Sequence, residues 1–163
     1  MGDFYTEQLV KRQKASCATA IKALLIVVTV LSIVLIFMIP FGIIGPVAMI
    51  VLDIFIFRNM DVEYEYLFVN GSLDIDKIMA KSRRKKMFSM EITDLEIMAR
   101  SGSPELRPYQ GLKSVDYSSG AADADTYELI VVSNGEKKKI IFEPNETICE
   151  GMKMMAPRKI FCK

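Results

Sequence analysis

From position 23 to position 52 the chain carries no charged residue, and almost every side chain is apolar. The run is broken by Pro40, Phe41 and Gly42, then by Gly45 and Pro46. A single helix over this stretch would be roughly 45 Å long, against a hydrocarbon core of about 30 Å. Each internal proline would also remove a backbone bond, clash with the preceding turn and push the residue before it out of the helical region. The pattern therefore predicts two transmembrane spans, residues 23–39 and 43–57, folded back on each other through the Pro/Gly turn. The rival is one long kinked span.

After position 60 the period changes from helical to alternating. Val62, Tyr64, Tyr66 and Phe68 fall on one face of a predicted strand, with Glu63 and Glu65 on the other. Asn70-Gly71 supplies a hairpin turn, and Leu73 and Ile75 continue a second strand with Asp74 and Asp76 outward. A third strand is predicted over residues 86–92, with Phe88, Met90 and Ile92 aligned. Residues 94–98 either extend it or form a helical turn. Gly102, Pro104, Pro108 and Gly111 mark a loop, residues 114–117 a short strand, and residues 118–125 an acidic loop of small side chains. A second hairpin pairs residues 127–132 with 139–142 across Asn134-Gly135. Asn145 then caps a helix in which Ile148, Met152 and Met155 share a face; Gly151 weakens it and Pro157 ends it. An open sheet of this kind must be closed or covered, and one amphipathic helix is the expected cover.

Charge orients the hairpin. Lys11, Arg12, Lys14 and Lys22 precede the first span, Arg58 follows the second, and the turn between is uncharged. Lys and Arg near span ends stay on the cytoplasmic side, so both termini are expected in the cytoplasm of a multi-pass protein of the cytoplasmic (inner) membrane. Residues 1–22 form a cytoplasmic amphipathic arm in this reading, with Phe4, Leu9 and Val10 at headgroup level. Gly2 and Thr6 match a loose myristoylation pattern, and Cys17 stands where palmitoylation is chemically feasible. Asp53 lies near the cytoplasmic end of the second span, within reach of the interface and of Arg58, and is read as structural.

Composition narrows the chemistry. The 163-residue chain has no His, which excludes Ser-His-Asp and Cys-His catalysis, His-ligated metals and a His switch. Its three cysteines, Cys17, Cys149 and Cys162, form no CxxC pair, and no Walker A loop or GxGxxG occurs, so neither a metal nor a cofactor is expected. Acidic and basic residues nearly cancel over residues 61–163, which argues against nucleic acid as a partner. Asp74/Asp76 and Asp123/Asp125 lack an EF-hand pattern.

The densest charge is Lys81-Ser82-Arg83-Arg84-Lys85-Lys86. Lys81, Arg83, Arg84, Lys85 and Lys86 are candidates for contact with anionic lipid headgroups, where each cation near an anionic leaflet gains about 1 kcal/mol. The alternative is a solvated hairpin tip balanced by Asp74, Asp76 and Glu91. Lys137-Lys138-Lys139 stands at the second hairpin and would extend a basic edge or protect a strand edge. Met152, Met154 and Met155 on the final helix suit core packing or an adaptable surface.

An apolar hairpin followed by Tyr64-Glu65-Tyr66-Leu67-Phe68-Val69-Asn70-Gly71, then Leu73-Asp74-Ile75-Asp76 and a basic turn, resembles the membrane-anchored bacterial pleckstrin-homology-like domains. The likeness spans about residues 20–160, and the Tyr5–Val10 arm is similar to that of small bacterial two-span proteins. The resemblance implies an α+β fold. A two-helix transmembrane hairpin (residues 23–57) precedes a cytoplasmic pleckstrin-homology-like antiparallel β domain (residues 61–163) of about six strands, capped by a C-terminal helix. It also implies a non-enzyme: a membrane-anchored binding or scaffolding protein that presents the domain to a protein partner or the anionic membrane surface. The alternative function is a structural subunit of a larger membrane complex, with the hairpin as its working part. The lipid bilayer is a partner in either case.

Overall fold

The computed structural model describes residues 4–13, 16–34, 36, 42–133 and 135–162. The chain opens on a strand. Tyr5–Lys11 (β1) pairs antiparallel with Val62–Val69 (β2), Tyr5 opposite Val69 and Lys11 opposite Glu63. Between these neighbours the chain makes a long excursion through two helices, Ser16–Val34 (α1) and Ile44–Met60 (α2), that pack on each other. The expected amphipathic arm over residues 1–22 is thus corrected where it is described: residues 5–11 form an edge strand, and a helix starts at Ser16. The strand's alternation was visible, but its partner lies more than 50 residues on, beyond any local pattern.

The transmembrane hairpin is overturned with it. No helix among the described residues is long and apolar enough to cross a membrane. α1 begins at Ser16 and takes Lys22 into its length, while α2 carries Asp53 and Arg58. The expectation of a multi-pass inner-membrane protein falls for the same reason. The Pro40-Phe41 part of the predicted turn lies outside the described residues. Asp53 also differs from expectation. It is buried against α1, where it accepts a hydrogen bond from the Thr29 hydroxyl at 2.6 Å, rather than reaching toward Arg58. Lys22 lies over the Phe57 ring at 5.2 Å, which ties the two helices near the sheet. Away from this seam the helices expose Leu24, Leu31, Val51 and Phe55 among other apolar side chains.

The remaining chain forms two packed sheets. Ser72–Met79 (β3) and Arg83–Glu91 (β4) complete the first, in the order β1-β2-β3-β4, all antiparallel. The β2–β3 turn is the expected Asn70-Gly71, both with positive φ (48° and 95°), as a two-residue hairpin of this hand requires. Leu95–Arg100 (β5) resolves the ambiguous segment as a strand, and Pro104–Tyr109 forms a short 3₁₀ turn. Ser114–Asp116 (β6), Tyr127–Ser133 (β7) and Glu136–Phe142 (β8) follow. Helix α3 (Glu146–Met155) comes next, capped by the Asn145 side chain, which accepts from the Ile148 amide at 2.9 Å. The chain then adds a strand that the pattern did not reveal, Ile160–Phe161 (β9), parallel to β5. The second sheet runs β6-β8-β7-β5-β9. There are thus nine strands among the described residues, eight of them after position 61 where about six were expected, and α3 is not the last element.

The core sits between the sheets. Tyr66, Phe68, Leu73 and Ile75 from the first meet Leu129, Ile140 and Phe142 from the second, with Ile148 and Met152 of α3 completing it. These positions alternate along each strand, which is why the sequence marked them. Buried Tyr66 keeps its hydroxyl satisfied by donating to the Tyr117 carbonyl at 2.6 Å and accepting from the Glu143 amide at 3.3 Å. Gly151 has a role that helix propensity hides: a Cβ there would clash with the Phe4 ring, so the glycine lets Phe4 lie on α3.

Candidate functional site

The basic run forms the β3–β4 hairpin, and strand register divides it in two. Opposite residues of an antiparallel pair share a face. Asp76 faces Lys86 and Ile78 faces Arg84, while Lys77 faces Lys85 and Met79 faces Arg83. Arg84 and Lys86 therefore lie on the outer face with the carboxylates. Arg84 reaches Glu65 at 2.9 Å, and Lys86 reaches Asp74 at 2.9 Å. Asp74 also accepts from the Ser89 hydroxyl at 2.5 Å.

These pairings tune the acids in opposite directions. Burial raises the pKa of Glu65, and the exposed Arg84 guanidinium only partly offsets it. Burial also opposes the charge on Asp74, but there the Ser89 hydroxyl and the Lys86 ammonium prevail and hold the carboxyl below its ordinary value.

The other face is different. Lys77, Lys81, Arg83 and Lys85 form no ion pair among the described residues. Lys77 and Lys85 stand directly opposite each other on neighbouring strands, and Lys77 is also opposite Tyr64 of β2. Like charges in that relation destabilise a sheet. At the tip, Ala80 and Lys81 both take positive φ (49° and 56°), a conformation that costs non-glycine residues about 1–3 kcal/mol each. The Ala80 amide anchors the tip by donating to the Asp61 carbonyl at 2.9 Å. This hairpin therefore carries two local costs, an unneutralised cation pair and a strained turn.

Of the five headgroup candidates, the structure leaves Lys81, Arg83 and Lys85 without carboxylate partners and commits Arg84 and Lys86 to Glu65 and Asp74. It adds Lys77, an isolated lysine in an alternating strand that only the register exposes. The second lysine run stands on the other sheet, where carboxylates take two of its three members. Lys137 pairs with Glu96 at 2.7 Å and Lys139 with Glu128 at 2.5 Å. Asp125 is held by Arg100 at 2.6 Å. No group of three or more metal-ligating side chains exists among the described residues.

The structure also brings together two residues that the sequence left apart. Buried Cys149 of α3 and half-buried Cys162 after β9 line one cavity of about 530 Å³ with Arg100, Tyr127 and Lys153. The neighbouring Cys162 and burial push the Cys149 pKa up, while Cys149 and Lys153 hold that of Cys162 down.

A family model described as "Bacterial PH-like domain (DUF6106)" matches residues 2–162, which include both helices α1 and α2. No curated protein and no solved structure matches the chain.

Proposed function

We propose that this chain, which belongs to the bacterial PH-like domain family, is a non-enzymatic binding module that docks an acidic protein partner. The contact face is the one carrying Lys77, Lys81 and Lys85. A PH-like domain is consistent with a binding or scaffolding role. The observation that carries the reading is the Lys77–Lys85 juxtaposition on a strained hairpin. A fold pays such a cost where a ligand relieves it, and an acidic surface would neutralise the pair. The enzyme alternative has less to build on, since the chain lacks His, and Glu65, Asp74 and Asp125 are paired with cations.

The test is photo-crosslinking from position 82, at the hairpin tip, in the full chain inside cells. The expected adduct is an acidic protein, captured from this position and lost in the Lys77→Gln, Lys81→Gln, Lys85→Gln variant. Adduct formation that survives neutralisation of all three lysines would overturn the reading.

A further inference from the structure

Where α2 ends against the β3–β4 turn, a cavity of about 330 Å³ is lined by Val51, Ile54, Phe55 and Arg58 of α2 with Met79, Ala80 and Arg83 of the hairpin. That volume is at the lower end for small-molecule sites. Its lining residues are apolar except for the two arginines. Neither Arg58 nor Arg83 forms an ion pair among the described residues. A cation at the end of a helix complements the helix dipole, which accounts for Arg58 by itself. It does not account for a second arginine brought to the same cavity from a strand 25 positions on.

The apolar wall does not stop at the cavity. Val47, Val51, Ile54 and Phe55 lie on one face of α2 with Arg58, at helical spacings, and all four apolar side chains are more than half exposed. From Arg58 to Val47 this stripe runs roughly 16 Å along the helix. An apolar strip that ends in two guanidiniums is complementary to a molecule with one flexible hydrocarbon chain and one anionic end. A neutral apolar molecule would leave both cations facing a desolvated wall, and a small inorganic anion would leave the strip bare.

We infer that this cavity binds a single-chain anionic amphiphile of the fatty-acid class, with the carboxylate on Arg58 and Arg83 and the chain along α2. This goes beyond the partner-docking face and uses different residues. The two sites adjoin at the hairpin, where Arg83 shares a strand face with Lys77 and Lys85 but is the one of the three that lines the α2 cavity.

The experiment uses the full chain and dansylundecanoate as a fluorescent probe; the absence of Trp leaves the dansyl signal uncomplicated. Dodecanoate, dodecanol and dodecylammonium compete below the concentration at which each forms micelles. Dodecanoate is expected to displace the probe at a concentration at least tenfold lower than dodecanol, about 1.4 kcal/mol of preference for the anion. Dodecylammonium is expected to be the weakest competitor. The Arg58→Gln, Arg83→Gln variant is expected to lose the preference for dodecanoate while keeping dodecanol binding, which shows that the apolar wall is still formed. The Lys77→Gln, Lys81→Gln, Lys85→Gln variant is expected to keep the preference, so this site and the partner-docking face succeed or fail separately. Equal competition by dodecanol and dodecanoate, or a preference that persists without both arginines, overturns the proposal. Probe binding that falls as protein concentration rises overturns it too, because a second copy of the chain would then be what covers α2.

Discussion

Replacing Gly151 by alanine tests how the chain start is locked onto α3. In an ordinary helix this change stabilises by about 0.5–1 kcal/mol, because glycine loses more backbone entropy on folding. Here the added methyl would enter the Phe4 ring, with Cε1 and Cζ as its nearest neighbours and Cδ1 at 3.1 Å. The ring has little room to retreat. The Phe4 amide donates to the Asn70 side chain at 2.9 Å, its carbonyl accepts from the Asn70 amide at 3.0 Å, and its ring sits edge-on to Phe68 at 5.8 Å. Overpacking of this kind costs about 1–3 kcal/mol, so Gly151→Ala should be neutral to about 2 kcal/mol destabilising. In a Phe4→Ala background the same change should become stabilising by about 0.5–1 kcal/mol. The coupling between the two positions is therefore on the order of 1–3 kcal/mol. Urea unfolding of the four proteins, followed by far-ultraviolet circular dichroism, measures it. A stabilising Gly151→Ala in the presence of Phe4, or a coupling below about 0.5 kcal/mol, would refute the steric lock.

Three further outcomes follow from the structure. Tyr66→Phe leaves the Tyr117 carbonyl and the Glu143 amide without their buried partner and should cost about 1–3 kcal/mol in urea unfolding; a neutral result would mean that water reaches the site. The raised Glu65 pKa means that its contribution to stability is complete below the unfolded-state value and is lost as pH rises through the folded one, whereas the lowered Asp74 pKa gives a contribution complete above the unfolded value and lost as pH falls through the folded one. Arg84→Gln should move the Glu65 titration further up, and Lys86→Gln should move that of Asp74 up, both read from carboxyl-carbon chemical shifts; unmoved curves would remove the ion pairs from the explanation. Iodoacetamide should label Cys162 before Cys149, because Cys162 is the more exposed and its thiolate is favoured, and peptide mass spectrometry showing the reverse order would contradict this arrangement of the two thiols.

The sequence by itself determined the parts of this protein that depend on neighbours in the chain. Alternation from Val62 to Ile75 placed the first hairpin and its buried face, Asn70-Gly71 fixed the turn, and Asn145 marked the start of α3. Each is a local signal, two to four residues long, which a strand or helix repeats. Tertiary structure decided everything that needed a distant partner. The strand at Tyr5–Lys11 exists because β2 offers it an edge, and β9 exists because β5 does the same. The apolar run suggested two spans because hydropathy counts residues and not where helices begin and end. The helices that form take in Lys22, Asp53 and Arg58, and they turn Asp53 toward Thr29. The basic run was legible as charge, but only the register with β3 separates the cations that carboxylates neutralise from those left facing Lys77 and α2. A one-dimensional pattern records that charges are close along the chain; which face each occupies is set by hydrogen bonds between strands, and these form only when the chain has folded.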